Sequence, residues 1–163
     1  MNSRIKTTPR RTKPAKPSAA ATPAPAGPGL RPTKILVPVD FSVCSRKALA
    51  YAFPLARQFH AAITLLHVVH VNYYAANSEY TTFDYPELIE ETRRAGEIQL
   101  GDLARSVRKK CPVETVVQTG HPGNVIVDAA KNLGIDLIII STHGHTGFKR
   151  AFLGSTAEHV VRY

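Results

Sequence analysis

The sequence is poor in features that would place it in several large classes. It has only two cysteines, Cys44 and Cys111, far apart and not in a CxxC pair. They read as two free thiols in a reducing compartment, so a disulfide scaffold is excluded. No apolar run approaches the ~18 residues of a membrane span. No apolar stretch follows the N-terminal basic residues, so a secretory signal is not expected. The nucleotide-loop spacing GxxxxGK(S/T) is absent, and no GxGxxG follows the first apolar run. GxSxG is absent too, which removes the nucleophile elbow of a serine hydrolase.

Acidic residues are missing from one part of the chain. Residues 1–33 carry Arg4, Lys6, Arg10, Arg11, Lys13, Lys16 and Arg31 and no Asp or Glu. The other 130 residues hold 14 basic and 12 acidic side chains, so most of the net charge of +9 belongs to the tail. Seven of the twelve prolines also lie there. Such a segment buries too little apolar surface to offset its ordering entropy, and residues 1–33 are expected to form a disordered basic Pro/Ala-rich tail. The tail would attract polyanions in general. It has the acid-poor character of a transit peptide but not the apolar face of an amphipathic helix.

From Lys34 onward the chain suits one globular domain, residues 34–163. KILVPV (34–39) reads as a buried strand whose ladder stops near Pro38. Asp40 and Ser42 offer capping oxygens to a helix over 42–59, with Pro54 expected to kink it or end it early. AAITLLHVV (61–69) is a second strand. The tyrosine-rich stretch 70–85 has no clear period and reads as a long loop. A charged helix follows to about Lys110, with Leu88, Ile89, Thr92, Ala95, Ile98, Leu103 and Val107 as its inward face. VETVVQT (113–119) is a strand, 122–133 a helix closed by Gly134, IDLIII (135–140) a fourth strand, and a last helix begins near Ser155. Continuously apolar strands separated by helices imply an α/β fold, a parallel sheet covered on both faces. A ligand of such a sheet sits at the strand carboxyl ends, at the topological switch point. The first strand, ending at Asp40, and the fourth, ending at Ser141, are the candidates to flank it.

The loop STHGHTGFKRAFLGST (141–156) carries the chemistry. Gly144 and Gly147 permit inward folding. Gly154, Ser155 and Thr156 would bring free N–H groups and hydroxyls to a helix N-terminus, where an anion is favoured. Lys149 and Arg150 add charge. Taken alone, glycines and a Ser/Thr cap serve an ordinary turn equally well. His67, His70, His143 and His145 lack partners at a metal-site spacing, so no metal ligand is assigned. No second carboxylate stands beside Asp40, so no catalytic residue is assigned and binding without efficient turnover is expected.

KILVPVDFS, LLHVV and TGHPGNVIVDAAKNLGIDLIIISTHGHTGFKRAFLGSTAEHVVR together resemble the universal stress protein family over residues 34–162. Its nucleotide-binding members carry Gly-x2-Gly-x9-Gly-Ser/Thr. Here the second glycine is Gly144, the third Gly154 and the hydroxyl Ser155, while Ser141 stands at the first glycine's place. The resemblance implies a doubly wound sheet of the adenine nucleotide alpha hydrolase type, strand order 3-2-1-4, binding ATP or AMP, with Mg2+ accompanying ATP. It places Asp40 by the base and ribose, Val68 and Ile140 along the adenine pocket, Ser141 and Gly144 as the near wall, and Gly154, Ser155 and Thr156 on the phosphates. It further implies a cytoplasmic stress-response module and a homodimer. Members usually continue after VVR into a fifth strand, which commonly builds the dimer; this chain stops at Tyr163, as a C-terminally truncated domain would. Two other readings stay open. One is a non-nucleotide interaction module, suggested by Ser141 and by Tyr73, Tyr74, Tyr80 and Tyr85. The other is a slow ATPase or self-phosphorylating protein.

Overall fold

The computed structural model describes residues 31–70, 85–108, 111–142 and 154–163. The tail up to residue 30, the 71–84 stretch with Tyr73, Tyr74 and Tyr80, and the 143–153 stretch lie outside the described residues. The elements run β1 (Lys34–Pro38), α1 (Val43–Phe59), β2 (Ala62–His70), α2 (Tyr85–Arg108), β3 (Val113–Gly120), α3 (Pro122–Leu133), β4 (Leu137–Ile138) and α4 (Ser155–Arg162). The four strands form one parallel sheet in the order β3-β2-β1-β4, as expected.

Alternation along the strands builds two apolar layers. Ile35, Val37, Ile63 and Leu65 face one way and pack with Leu49, Ala52 and Ala56 of α1 and Leu100, Ala104 and Val107 of α2. Leu36 and Leu66 face the other way and pack with Ile126 and Ala129 of α3. Burying each such Leu, Ile or Val stabilises the fold by ~1.5–3 kcal/mol.

The helix ends follow their sequence signals. Ser42 Oγ accepts the Ser45 N–H at 3.1 Å and caps α1. Gly134, at φ 62, closes α3 in the left-handed conformation, which a Cβ would strain. Pro54 does not end α1, which continues to Phe59. A proline at 54 leaves the carbonyl four residues earlier without its helical donor. That residue, Ala50, is exposed, as is Pro54, so water reaches the site.

The inward face of α2 differs from the expectation. Gly96, Leu100, Ala104 and Val107 are buried, whereas Leu88 and Ile98 are 51% and 67% exposed. Thr92 and Ala95 are exposed too. The expected face holds at Val107 and at Leu103, which packs against the core, but it misses Leu100 and the small residues Gly96 and Ala104, which let the helix come close to the sheet. β4 is also shorter than 135–140. Its backbone bonds nevertheless extend on both sides, from Asp136 N to Lys34 O (3.0 Å) and from Ile139 N to Leu36 O (2.9 Å). Ile135 N instead bonds Ala130 O at 2.9 Å, as part of the α3 terminus.

Candidate functional site

The crossovers through α1 and α2 cover one face of the sheet, and the one through α3, which leads to β4 on the other side of β1, covers the opposite face, so a crevice opens where β1 and β4 end side by side. The structure has a cleft of ≈ 430 Å³ there. Pro38, Val39 and Asp40 line it from the end of β1, and Ile140, Ser141 and Thr142 from beyond β4. Leu66, Val68 and His70 of β2 and Ile126 of α3 supply a mostly apolar wall. Gly154, Ser155, Thr156 and Ala157 close the far end with the start of α4. Of the eight residues the sequence nominated, the structure brings seven to this one cleft: Asp40, Val68, Ile140, Ser141, Gly154, Ser155 and Thr156. The eighth, Gly144, lies outside the described residues, as do His143, His145, Lys149 and Arg150.

Local bonding fixes the two ends of the cleft. Asp40 Oδ1 accepts the Ser42 N–H at 3.0 Å, a tight turn that turns the carboxylate back over the start of α1. Ser45, buried at the cleft wall, donates its hydroxyl to Ser42 O at 3.1 Å. At the other end the expectation about Gly154 needs correction. Its N–H is not free for a ligand but donates to Thr142 O at 2.8 Å. The glycine serves the crossing of two chain segments: a Cβ there would lie 3.0 Å from Thr142 O. The α4 ladder begins with Glu158 N on Gly154 O at 2.8 Å. The amides of Ser155, Thr156 and Ala157 are therefore the first-turn donors that no helical carbonyl takes up. With the helix dipole behind them they suit an anion.

Three imidazoles stand in series, starting from His70 in the cleft wall. His70 and His121 meet edge to face at 5.9 Å between centroids, and His121 and His159 at 6.0 Å. His121 occupies the N-cap of α3 without a side-chain cap bond. His159 packs against α3 at Gly123, where a Cβ would stand 2.7 Å from the ring. Among the described residues, no group of three or more His, Cys, Asp or Glu is placed to hold a metal. His67 and His70, paired in sequence reasoning as strand-end residues, part company: His70 lines the cleft and His67 contacts Phe41.

Sequence reasoning missed Leu66, Ser45 and Ile126 as lining residues. Leu66 was within reach, because it lies two residues before Val68 on the same strand face. Ser45 and Ile126 depend on how α1 and α3 pack, which no local pattern specifies.

The sequence model of the universal stress protein family matches residues 32–163. A universal stress protein of Methanocaldococcus jannaschii is 31% identical over 130 residues, covering 79% of this chain and 75% of that protein. Universal stress protein YxiE of Bacillus subtilis is 30% identical over 133 residues, covering 78% and 90%. The solved structure of universal stress protein UspA from Lactobacillus plantarum superposes with a TM-score of 0.66 at 30% identity, covering 82% of this chain and 93% of that one.

Proposed function

Because the chain belongs to the universal stress protein family, we propose that its cleft binds an adenine nucleotide, ATP or AMP, and that the protein acts as a stress-response regulatory or protective module. One observation carries this reading: an apolar slot between Val68 and Ile140 lies in the same cleft as the Asp40 carboxylate and the α4 N-terminus. The slot suits a planar base, Asp40 suits ribose hydroxyls as an acceptor, and Ser155 and Thr156 suit phosphate. The volume falls in the range of small-molecule sites. A universal stress protein family member from Arabidopsis thaliana, sharing the fold at 19% identity, was crystallised with AMP bound, and another with the fold in complex with cAMP.

Ser141 replaces a glycine of the family's loop, and its side chain is accommodated in the cleft wall. Asp40 is the one carboxylate among the described lining residues. Mg2+ would therefore arrive on the phosphates of ATP with its waters, not in a protein cage. Two free cysteines fit a reducing, cytoplasmic setting. A homodimer belongs to the same reading and is checked by sedimentation of the purified chain.

The test is direct. Denature the purified chain, identify released nucleotide by mass spectrometry, and titrate the stripped protein with ATP and AMP. Stoichiometric binding supports the reading. No binding, with the fold intact, removes it in favour of an interaction module that keeps only the family's shape.

A further inference from the structure

The turn that carries Asp40 adopts a conformation its sequence does not favour. Phe41 sits at φ 62, in the left-handed region that bulky residues seldom occupy. His67 supplies two of the contacts that hold this turn. Side chains alternate along β2, so Leu66 and Val68 line the cleft while His67 points into the opposite layer. There its Nδ1 lies 2.8 Å from the carbonyl oxygen of Val39. A carbonyl only accepts, so Nδ1 carries the proton and donates. The imidazole also stacks on the Phe41 ring at 4.5 Å, tilted by 41°. Val39 meanwhile gives its own N–H to Leu66 O at 2.8 Å. Both backbone polar groups of the residue before Asp40 are thus tied to β2.

The ring is backed from behind. A Cβ on Gly96 of α2 would stand 2.7 Å from His67 Cδ2 and 3.3 Å from Nε2. Gly96 is buried, and its lack of a side chain leaves the imidazole room to reach Val39.

We propose that His67, seated on Gly96, is the positioning residue of the nucleotide site, holding Val39 and Phe41 so that the Asp40 carboxylate stands at the cleft mouth. This rests on the reading of the cleft as a nucleotide site. His67 acts from the far face of the sheet and is not among the residues that line the cleft.

The test is a thermodynamic cycle on the full chain, read by calorimetric titration with ATP and AMP. His67→Ala is expected to weaken both nucleotides by the same factor, about tenfold, the scale of one charge-assisted hydrogen bond. The factor is shared because the displaced group serves the nucleoside end. His67→Asn, whose amide nitrogen can take the place of Nδ1, restores most of the loss. Gly96→Ala crowds the ring without touching the cleft and weakens both nucleotides in the same direction. In an Asp40→Ala background, His67→Ala costs nothing further, because the group it positions is gone. Equal losses in both backgrounds overturn the proposal, since a merely structural role adds its cost in each. Should His67→Ala fail to fold, Gly96→Ala carries the same cycle, with His67→Asn as the variant expected to lose little. If the unaltered chain binds neither nucleotide, the reading of the cleft fails separately. Hydrogen exchange at the Ser42 amide, which Asp40 holds, then decides the positioning role: faster exchange in Gly96→Ala and His67→Ala sustains it, and unchanged exchange overturns it.

Discussion

Gly154 donates its backbone N–H to the carbonyl of Thr142 at 2.8 Å, and a Cβ on residue 154 would stand 3.0 Å from that same oxygen. The backbone there has φ −61, open to any residue, so the demand for glycine is steric alone. Gly154→Ala is expected to cost ~1 kcal/mol as the crossing gives by a few tenths of an ångström, and Gly154→Val up to ~3 kcal/mol. The valine variant also moves the start of α4 and should abolish nucleotide binding. Urea unfolding and titration on the same samples check both. Unchanged affinity in a folded Gly154→Val protein removes this end of the cleft from the site.

Ser155 and Thr156 should separate phosphate binding from stability. Ser155 is exposed and Thr156 half-buried at the start of α4, so replacing both with Ala changes stability by less than ~1 kcal/mol. Two hydroxyl donors to a charged group are lost, which predicts ATP binding weaker by more than tenfold. AMP, with one phosphate, should lose less. Equal losses for ATP and AMP would place the β- and γ-phosphates away from α4.

How far the sequence could be read depends on the range of the physics involved. β1 was visible because a parallel strand buried on both faces is apolar without interruption, and ILVPV after Lys34 is. Ser42 and Gly134 were visible because caps are local chemistry. The pairing of Asp40 with Ser141 across a switch point was read from the element order together with the polar residues that end the first and fourth strands. The face of α2 followed only in part, at Leu103 and Val107. Gly96 and Ala104 contribute little to an apolar pattern, yet their smallness is what lets the helix settle on the sheet and on His67. The Gly154 N–H was misread for a similar reason: its partner, Thr142 O, is remote in sequence, and only the fold brings the two together.

The α3–α4 contact turns on another glycine. At Gly123 a Cβ would meet three atoms of the His159 side chain at 2.7–2.9 Å. Alanine is the better helix former by ~1 kcal/mol, so a chain governed by propensity would gain from Gly123→Ala. The packing predicts the reverse, a net loss of ~1–3 kcal/mol, with weaker ATP binding as α4 is pushed off α3. Gly123→Ala combined with His159→Ala relieves the clash and should recover stability. Chemical denaturation of the two single variants and the double variant measures the coupling, and strict additivity would refute the contact.

The amino-terminal edge of the sheet offers a test by pH. Asp136 Oδ2 accepts from Thr33 N and Thr33 Oγ1, each at 2.7 Å, and from Lys34 N at 2.9 Å. The Thr33 hydroxyl first, then the Thr33 and Lys34 amides, hold the carboxyl below its ordinary value. A folded-state pKa below the unfolded one means a stabilising contribution present in full above the unfolded value, about 4. It is lost as pH falls through the lower, folded value. Asp136→Asn should therefore be less stable than the unaltered chain at pH 7, and the gap should close progressively below about pH 4. Urea midpoints of the two proteins measured from pH 7 to pH 2.5 decide it. A gap that persists unchanged into acid would mean that the clasp depends on the shape of the side chain and not on its charge.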